Sequence, residues 1–133
     1  MSKKKESIGI FIDAKNNRLT HVVIKDHTDI SRIAGYKYFD AVGLNTKGKV
    51  ADTLFVDDEG LINDTKWGFE VLTANGEHRG HYAGNGIVLG TNRQGESVDA
   101  TVTLAEMAKR IRCYVTTGNT AVWLPKNPEV RTK

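Results

Sequence analysis

A chain of 133 residues is the size of one ordinary domain, large enough to bury a core without disulfides or metal. Apolar residues at 39% and charged residues at 26% are globular proportions, and a single cysteine, Cys113, excludes a disulfide-stapled scaffold. The formal charge of +3 sits at the ends: three lysines against Glu6 leave +2 in residues 1–6, three cations against Glu129 leave +2 in residues 126–133, and residues 7–125 carry −1.

The ends therefore read as a basic N-terminal tail (1–6) and a flexible C-terminal tail (126–133) around a single domain, 7–125. The apolar run Ile8–Ile12 is too short for a signal-peptide core. No stretch approaches the roughly 20 apolar residues of a membrane span. The expected location is cytoplasmic, with no membrane partner.

Ile8, Ile10 and Ile12 alternate with Gly9, Phe11 and Asp13, the period of a strand. Asn16-Asn17 turns it into a second strand, Leu19–Lys25, giving a hairpin. Thr28 or Asp29 caps a short helix over 29–34, whose apolar face is Ile30, Ile33 and Ala34 and whose stop is Gly35. Strands follow at Tyr36–Leu44 and Thr53–Val56, around a turn at 45–48. Asp57-Asp58-Glu59-Gly60 breaks the second of these, with Gly60 in the left-handed region, and Leu61-Ile62 resumes it. Trp67–Thr73 and His78–Tyr82 flank Asn75-Gly76, which predicts a type I′ hairpin. Ile87-Val88-Leu89 reads as a buried strand between Gly86 and Gly90, and Asn92–Asp99 as polar loop. Thr103 and Glu106 form a capping box that opens a helix over 103–112, with Leu104, Ala108 and Ile111 on one face. Cys113–Thr116 and Ala121–Leu124 make a last hairpin across Gly118-Asn119. The fold class is α+β: a mostly antiparallel, twisted sheet of about six to eight strands built from hairpins, with both helices on one face.

Four patterns bear on chemistry. Asp57, Asp58 and Glu59 have the carboxylates of a cation site but the setting of a tight turn, and the remaining ligands of a calcium loop are missing. His78 and His81 resemble a metal pair, yet residues three apart on a strand face opposite ways unless the backbone bends at Gly80. Gly84–Gly90 has the glycines of a phosphate loop but opens a strand, where such a loop opens a helix. Lys109, Arg110 and Arg112 form the one dense basic cluster within residues 7–125, splayed over more than one helix face. No serine has a nucleophile context, Cys113 reads as a core residue, and the aromatics are too scattered for a base-stacking platform.

Leu54-Phe55-Val56-Asp57-Asp58-Glu59-Gly60-Leu61-Ile62 is similar to the signature of a family of small bacteriophage and prophage proteins, domain of unknown function 3846. Tyr38–Val42 resembles the strand that precedes that signature. Gly84–Gly90, followed by Gly95-Glu96 and Val98-Asp99, resembles the family's glycine-containing strand and acidic loop. The blocks agree in order and spacing over about half the chain. The chain departs at Asn63–Lys66, where the family often has a proline and an Asn-Arg pair, and in its longer hairpin from Trp67 to Tyr82. The resemblance implies a phage-type gene and a small mixed α/β fold, and it supplies no catalytic residues.

The leading expectation is a non-enzymatic phage-type accessory protein that binds a host protein or sequesters a small host molecule. Its candidate binding residues are Asp57, Asp58, Glu59, Asn85 and Asp99, and its location is the host cytoplasm. One alternative is a nucleic-acid-binding accessory protein using Lys109, Arg110 and Arg112. The second is a small metal-dependent hydrolase using Asp57, Asp58, Glu59 and the histidines. No catalytic residue, resident metal or cofactor is expected, nor tight nucleic-acid binding; the partner and oligomeric state stay open.

Overall fold

Ile10 and Ile12 point to one apolar cluster and Phe11 to another, so the first strand is covered on both sides. The computed structural model describes residues 6–59, 65–73 and 75–131, apart from the side chain of Asn45. Among these, the elements in chain order are β1 (Ser7–Asp13), β2 (Arg18–Ile24), α1 (His27–Ala34), β3 (Phe39–Lys47), β4 (Val50–Asp57), β5 (Trp67–Leu72), β6 (His78–Ala83), β7 (Gly86–Thr91), β8 (Ser97–Val98), α2 (Leu104–Arg110), β9 (Ile111–Thr117), β10 (Thr120–Trp123) and β11 (Glu129–Arg131). The fold is α+β and its ladders are antiparallel except for β11 on β2.

The strands form two sheets where one was expected. The larger runs β11-β2-β1-β7-β4-β3, with β8 on β7, and the smaller runs β10-β9-β5-β6. Hairpin spacing identifies local partners but not the sheet each hairpin joins. Burial decides it: Phe69, Val71, Ile111 and Cys113 pack with Ile10, Ile12, Leu54 and Val88 in one cluster between the sheets. The other face of the large sheet packs Ile87, Leu89 and Phe55 under Ile30 and Ala34 of α1. β7 is central and covered on both faces, which is why its sequence is a continuous apolar run.

The two helices consequently lie on opposite faces of the large sheet, a correction to the one-face expectation. α1 starts earlier than expected, because Asp26 is its cap and accepts from Thr28 N at 2.9 Å. Gly35, at φ +86°, ends it. The capping box of α2 forms as expected: Glu106 N donates to Thr103 Oγ1 at 3.1 Å, and Thr103 N to Glu106 Oε1 at 2.8 Å. The helix then stops at Arg110, and Ile111 and Arg112 start β9, because their pairing with Val71 and Glu70 wins over another helical turn.

The flexible C-terminal tail is corrected in part. Pro128 is buried, and Glu129–Arg131 pairs in parallel with β2 from Arg18 to Thr20. Asn17 anchors the segment: its Nδ2 donates to Pro125 O at 3.0 Å and its carbonyl accepts from Glu129 N at 2.9 Å. Residues 92–99 are likewise not all loop, since Ser97–Val98 pairs with β7. The turn after β5 is closed by Gly76 N donating to Thr73 O at 2.9 Å. Of Asn75 and Gly76, only Gly76, at φ +84°, has positive φ, so the pair does not form the type I′ turn expected. The expectations for Gly60 and Leu61-Ile62, and for most of the N-terminal tail, lie outside the described residues. No helix among the described residues is long and apolar enough to cross a membrane.

Candidate functional site

Of the residues singled out from the family-like blocks, Asp57, Asp58, Glu59 and Asn85 lie at one end of the large sheet and Asp99 at the other. Asp57 Oδ1 accepts from Glu59 N at 2.9 Å and Asp58 N donates to Tyr38 O at 3.1 Å, the bonding of a tight turn. Asn85 lies at the same end of the large sheet. Its Oδ1 accepts from Ala14 N at 3.1 Å and its Nδ2 donates to Ala34 O at 3.2 Å, which ties the end of β1 to the end of α1. Asp99 is at the other end of β1, where it accepts from Ile8 N at 2.8 Å. Six residues of strand, about 20 Å, separate the two anchors. Asn85 and Asp99 both bind backbone and hold loops to β1.

The basic cluster also separates. Arg110 is half-buried and its Nε donates to Leu72 O at 2.9 Å. Lys109 is exposed on α2. Arg112, in β9 rather than a helix, lies on the outer face of the small sheet, with its guanidinium carbon 5.0 Å from the centre of the Trp123 ring.

That outer face gathers the groups the sequence leaves scattered. Phe69 and Val71 point inward, so Gly68, Glu70 and Leu72 point out. Residues directly opposite across a ladder share a face. Glu70 therefore stands beside Arg112 and His81, Gly68 beside Tyr114, and Tyr114 beside Trp123. The β6 strand carries a bulge: Val71 pairs with Gly80 but Leu72 with His78, leaving Arg79 as the extra residue. The bulge puts His78 and His81 on one face, with ring centres 6.0 Å apart. Arg79 pins it by donating from its Nη1 to Leu44 O at 2.6 Å and from its Nη2 to Gly43 O, both on β3.

Glu70 Oε2 lies 2.6 Å from His78 Nδ1. Tyr114 and Trp123 meet edge to face at 5.5 Å and 72°. Gly68 makes room for that aromatic corner, since a Cβ there would sit 2.5 Å from Tyr114 Oη. Burial raises the Tyr114 pKa, which keeps the phenol neutral. Two adjoining clefts open here. The smaller, about 260 Å3, is walled by Trp123, Tyr114, His81 and His78 with Glu70 on its floor. The larger, about 530 Å3, continues past Glu70 and His78 to Lys109, Arg112 and Lys126. Arg112 lines this cleft, and its Nε is buried with no hydrogen-bond partner among the described residues.

The face offers stacking surface, cationic charge and one oriented carboxylate–imidazole pair. Neither cleft has a serine or cysteine among its described lining residues. Cys113 points into the core, and burial pushes its thiol up to about 12. No three His, Cys, Asp or Glu side chains among the described residues gather as a metal set. Sequence reasoning missed Glu70, Tyr114 and Trp123. The strand alternation carried the signal for Glu70, but the ladders that assemble the face are non-local. No family model, curated protein or solved structure matches the chain.

Proposed function

We propose that the protein is a non-enzymatic accessory protein that sequesters a small molecule on the outer face of its small sheet. The observation that carries this reading is the convergence of Trp123, Tyr114, Arg112, His81 and the Glu70–His78 pair around two adjoining clefts. Small-molecule sites are concave, with aromatic walls and a few polar groups that fix orientation. A protein partner would be expected to use a larger, flatter patch. The resemblance of Leu54–Ile62 to a phage family supports a phage or prophage gene, in which case the captured molecule belongs to the host.

The test is to purify the protein from cells, denature it and identify what it releases by mass spectrometry, beside Trp123→Ala prepared identically. The expected result is a small molecule released intact from the native protein and lost from the variant. Equal recovery from both would overturn the site. Conversion of the molecule to a product on incubation with the protein would overturn the non-enzymatic reading.

A further inference from the structure

We infer that the ligand is a phosphorylated aromatic heterocycle of the nucleotide class, its ring in the smaller cleft and its phosphate in the larger. The inference rests on the reading of this face as a small-molecule site and adds the chemistry of the occupant.

The two clefts differ in character and share a boundary. The smaller has the perpendicular Trp123–Tyr114 corner on one side and the two imidazoles on the other. Neighbouring strands in a sheet are about 4.8 Å apart, so three strand steps from β10 to β6 span about 14 Å. A flat ring fits that trough, with one face against an aromatic wall. Glu70 lies on the floor between the walls, where a carboxylate can accept from the N–H groups on the edge of a base. A simple inorganic anion would leave the aromatic corner unused.

The larger cleft is cationic. Lys109, Arg112 and Lys126 line it against one carboxylate, Glu70, whose nearer partner is His78. Arg112 lines the larger cleft and lies over the Trp123 ring that walls the smaller, which brings its charge close to the boundary at Glu70 and His78. A neutral aromatic ligand would leave these cations unanswered, whereas a phosphate attached to the ring meets them. The occupant thus needs a planar heterocycle and an anion a short distance away, and a nucleoside monophosphate is the simplest molecule with both.

A nucleic-acid strand is the competing occupant, and the face disfavours it. Strand binding uses successive aromatic platforms along a basic groove. Here there is one aromatic corner, and residues 7–131, which include Lys126 of the cleft and the β11 strand, carry a net charge of 0 that gives no long-range attraction for a polyanion.

Calorimetric titration of the full chain tests this with five probes: adenosine monophosphate, guanosine monophosphate, adenosine, inorganic phosphate and a short single-stranded oligonucleotide. At least one monophosphate is expected to bind about tenfold or more tighter than adenosine or phosphate alone. Trp123→Ala and Lys109→Glu should each weaken it about tenfold or more. Both side chains are exposed, so an unchanged melting temperature shows that the variants fold. Tighter binding of the oligonucleotide than of either monophosphate would overturn the inference in favour of nucleic acid. If neither monophosphate binds while another small molecule is still released from purified protein, the ligand class is wrong and the small-molecule site stands. If nothing is bound in either experiment, both fail.

Discussion

Asp52 is fully buried in β4, and its carboxylate accepts from Thr101 N at 2.8 Å and from Thr101 Oγ1 at 2.6 Å. It fixes the segment that leads into the cap of α2. Asp52→Ala would strand those donors and disturb the field at Arg110, where Asp52 supports the charged form. The expected loss is about 2–4 kcal/mol in denaturant unfolding. Asp58→Ala, exposed in its turn, should stay within about 0.5 kcal/mol. Equal losses would contradict this assignment. Alternation with Leu54 and Val56 places Asp52 inward, but its partner is 49 residues away and no local pattern announces it. Burial at two other residues sets the alkaline limit. The Cys113 thiol rises from 9.0 to about 12, and the Tyr36 phenol is also held above its usual range. The unfolded thiol loses its proton first, so this contribution is complete below pH 9 and falls as the pH climbs toward 12. Cys113→Ala should flatten that decline in pH-dependent melting. The native thiol should resist a thiol reagent at mildly alkaline pH and react on unfolding.

At the scale of elements, local signals were readable and long-range ones were not. The α2 capping box, the β1–β2 hairpin and the β9–β10 hairpin are written in contiguous residues and form as expected. Thr103→Ala should cost about 1 kcal/mol, the ordinary loss of a helix cap. The same box sets an acid response: bonds from the Thr103 N–H and hydroxyl hold the Glu106 carboxyl below its usual range. Its stabilisation is present above the unfolded carboxyl's pKa and is lost as the pH falls through the folded value. Glu106→Gln should therefore blunt the acid arm of the melting profile. β11 is not legible in the sequence, because three residues beside a proline carry no periodicity, and only the parallel pairing with β2 reveals a strand. Removing residues 129–133 uncovers the β2 edge and should lower the melting temperature by several degrees. An unchanged melt would show that β11 adds nothing to stability. The β6 bulge was visible only as a condition: the histidines could share a face if the chain bent, and Arg79 supplies the bend.

For the whole molecule, length predicts one domain and the order of hairpins and helices predicts α+β, and burial splits the strands into two sheets with a core between them. That split creates the candidate site, because it leaves the small sheet with one face on the core and one toward solvent. Glu70, His78, Arg112, Tyr114 and Trp123 come from four strands between residues 67 and 123, and only the ladders bring them together. The apolar core should hold the fold without metal, so melting with and without a strong chelator should agree within a few degrees. The central claim is that binding occurs on this outer face. Amide chemical-shift mapping of the full chain, titrated with the molecule released from purified protein, tests it most directly. The account predicts shifts concentrated on Glu70, His78, His81, Arg112, Tyr114 and Trp123 and their ladder neighbours. Shifts centred instead on Asp57–Glu59 and Asn85, at the end of the large sheet, would contradict it.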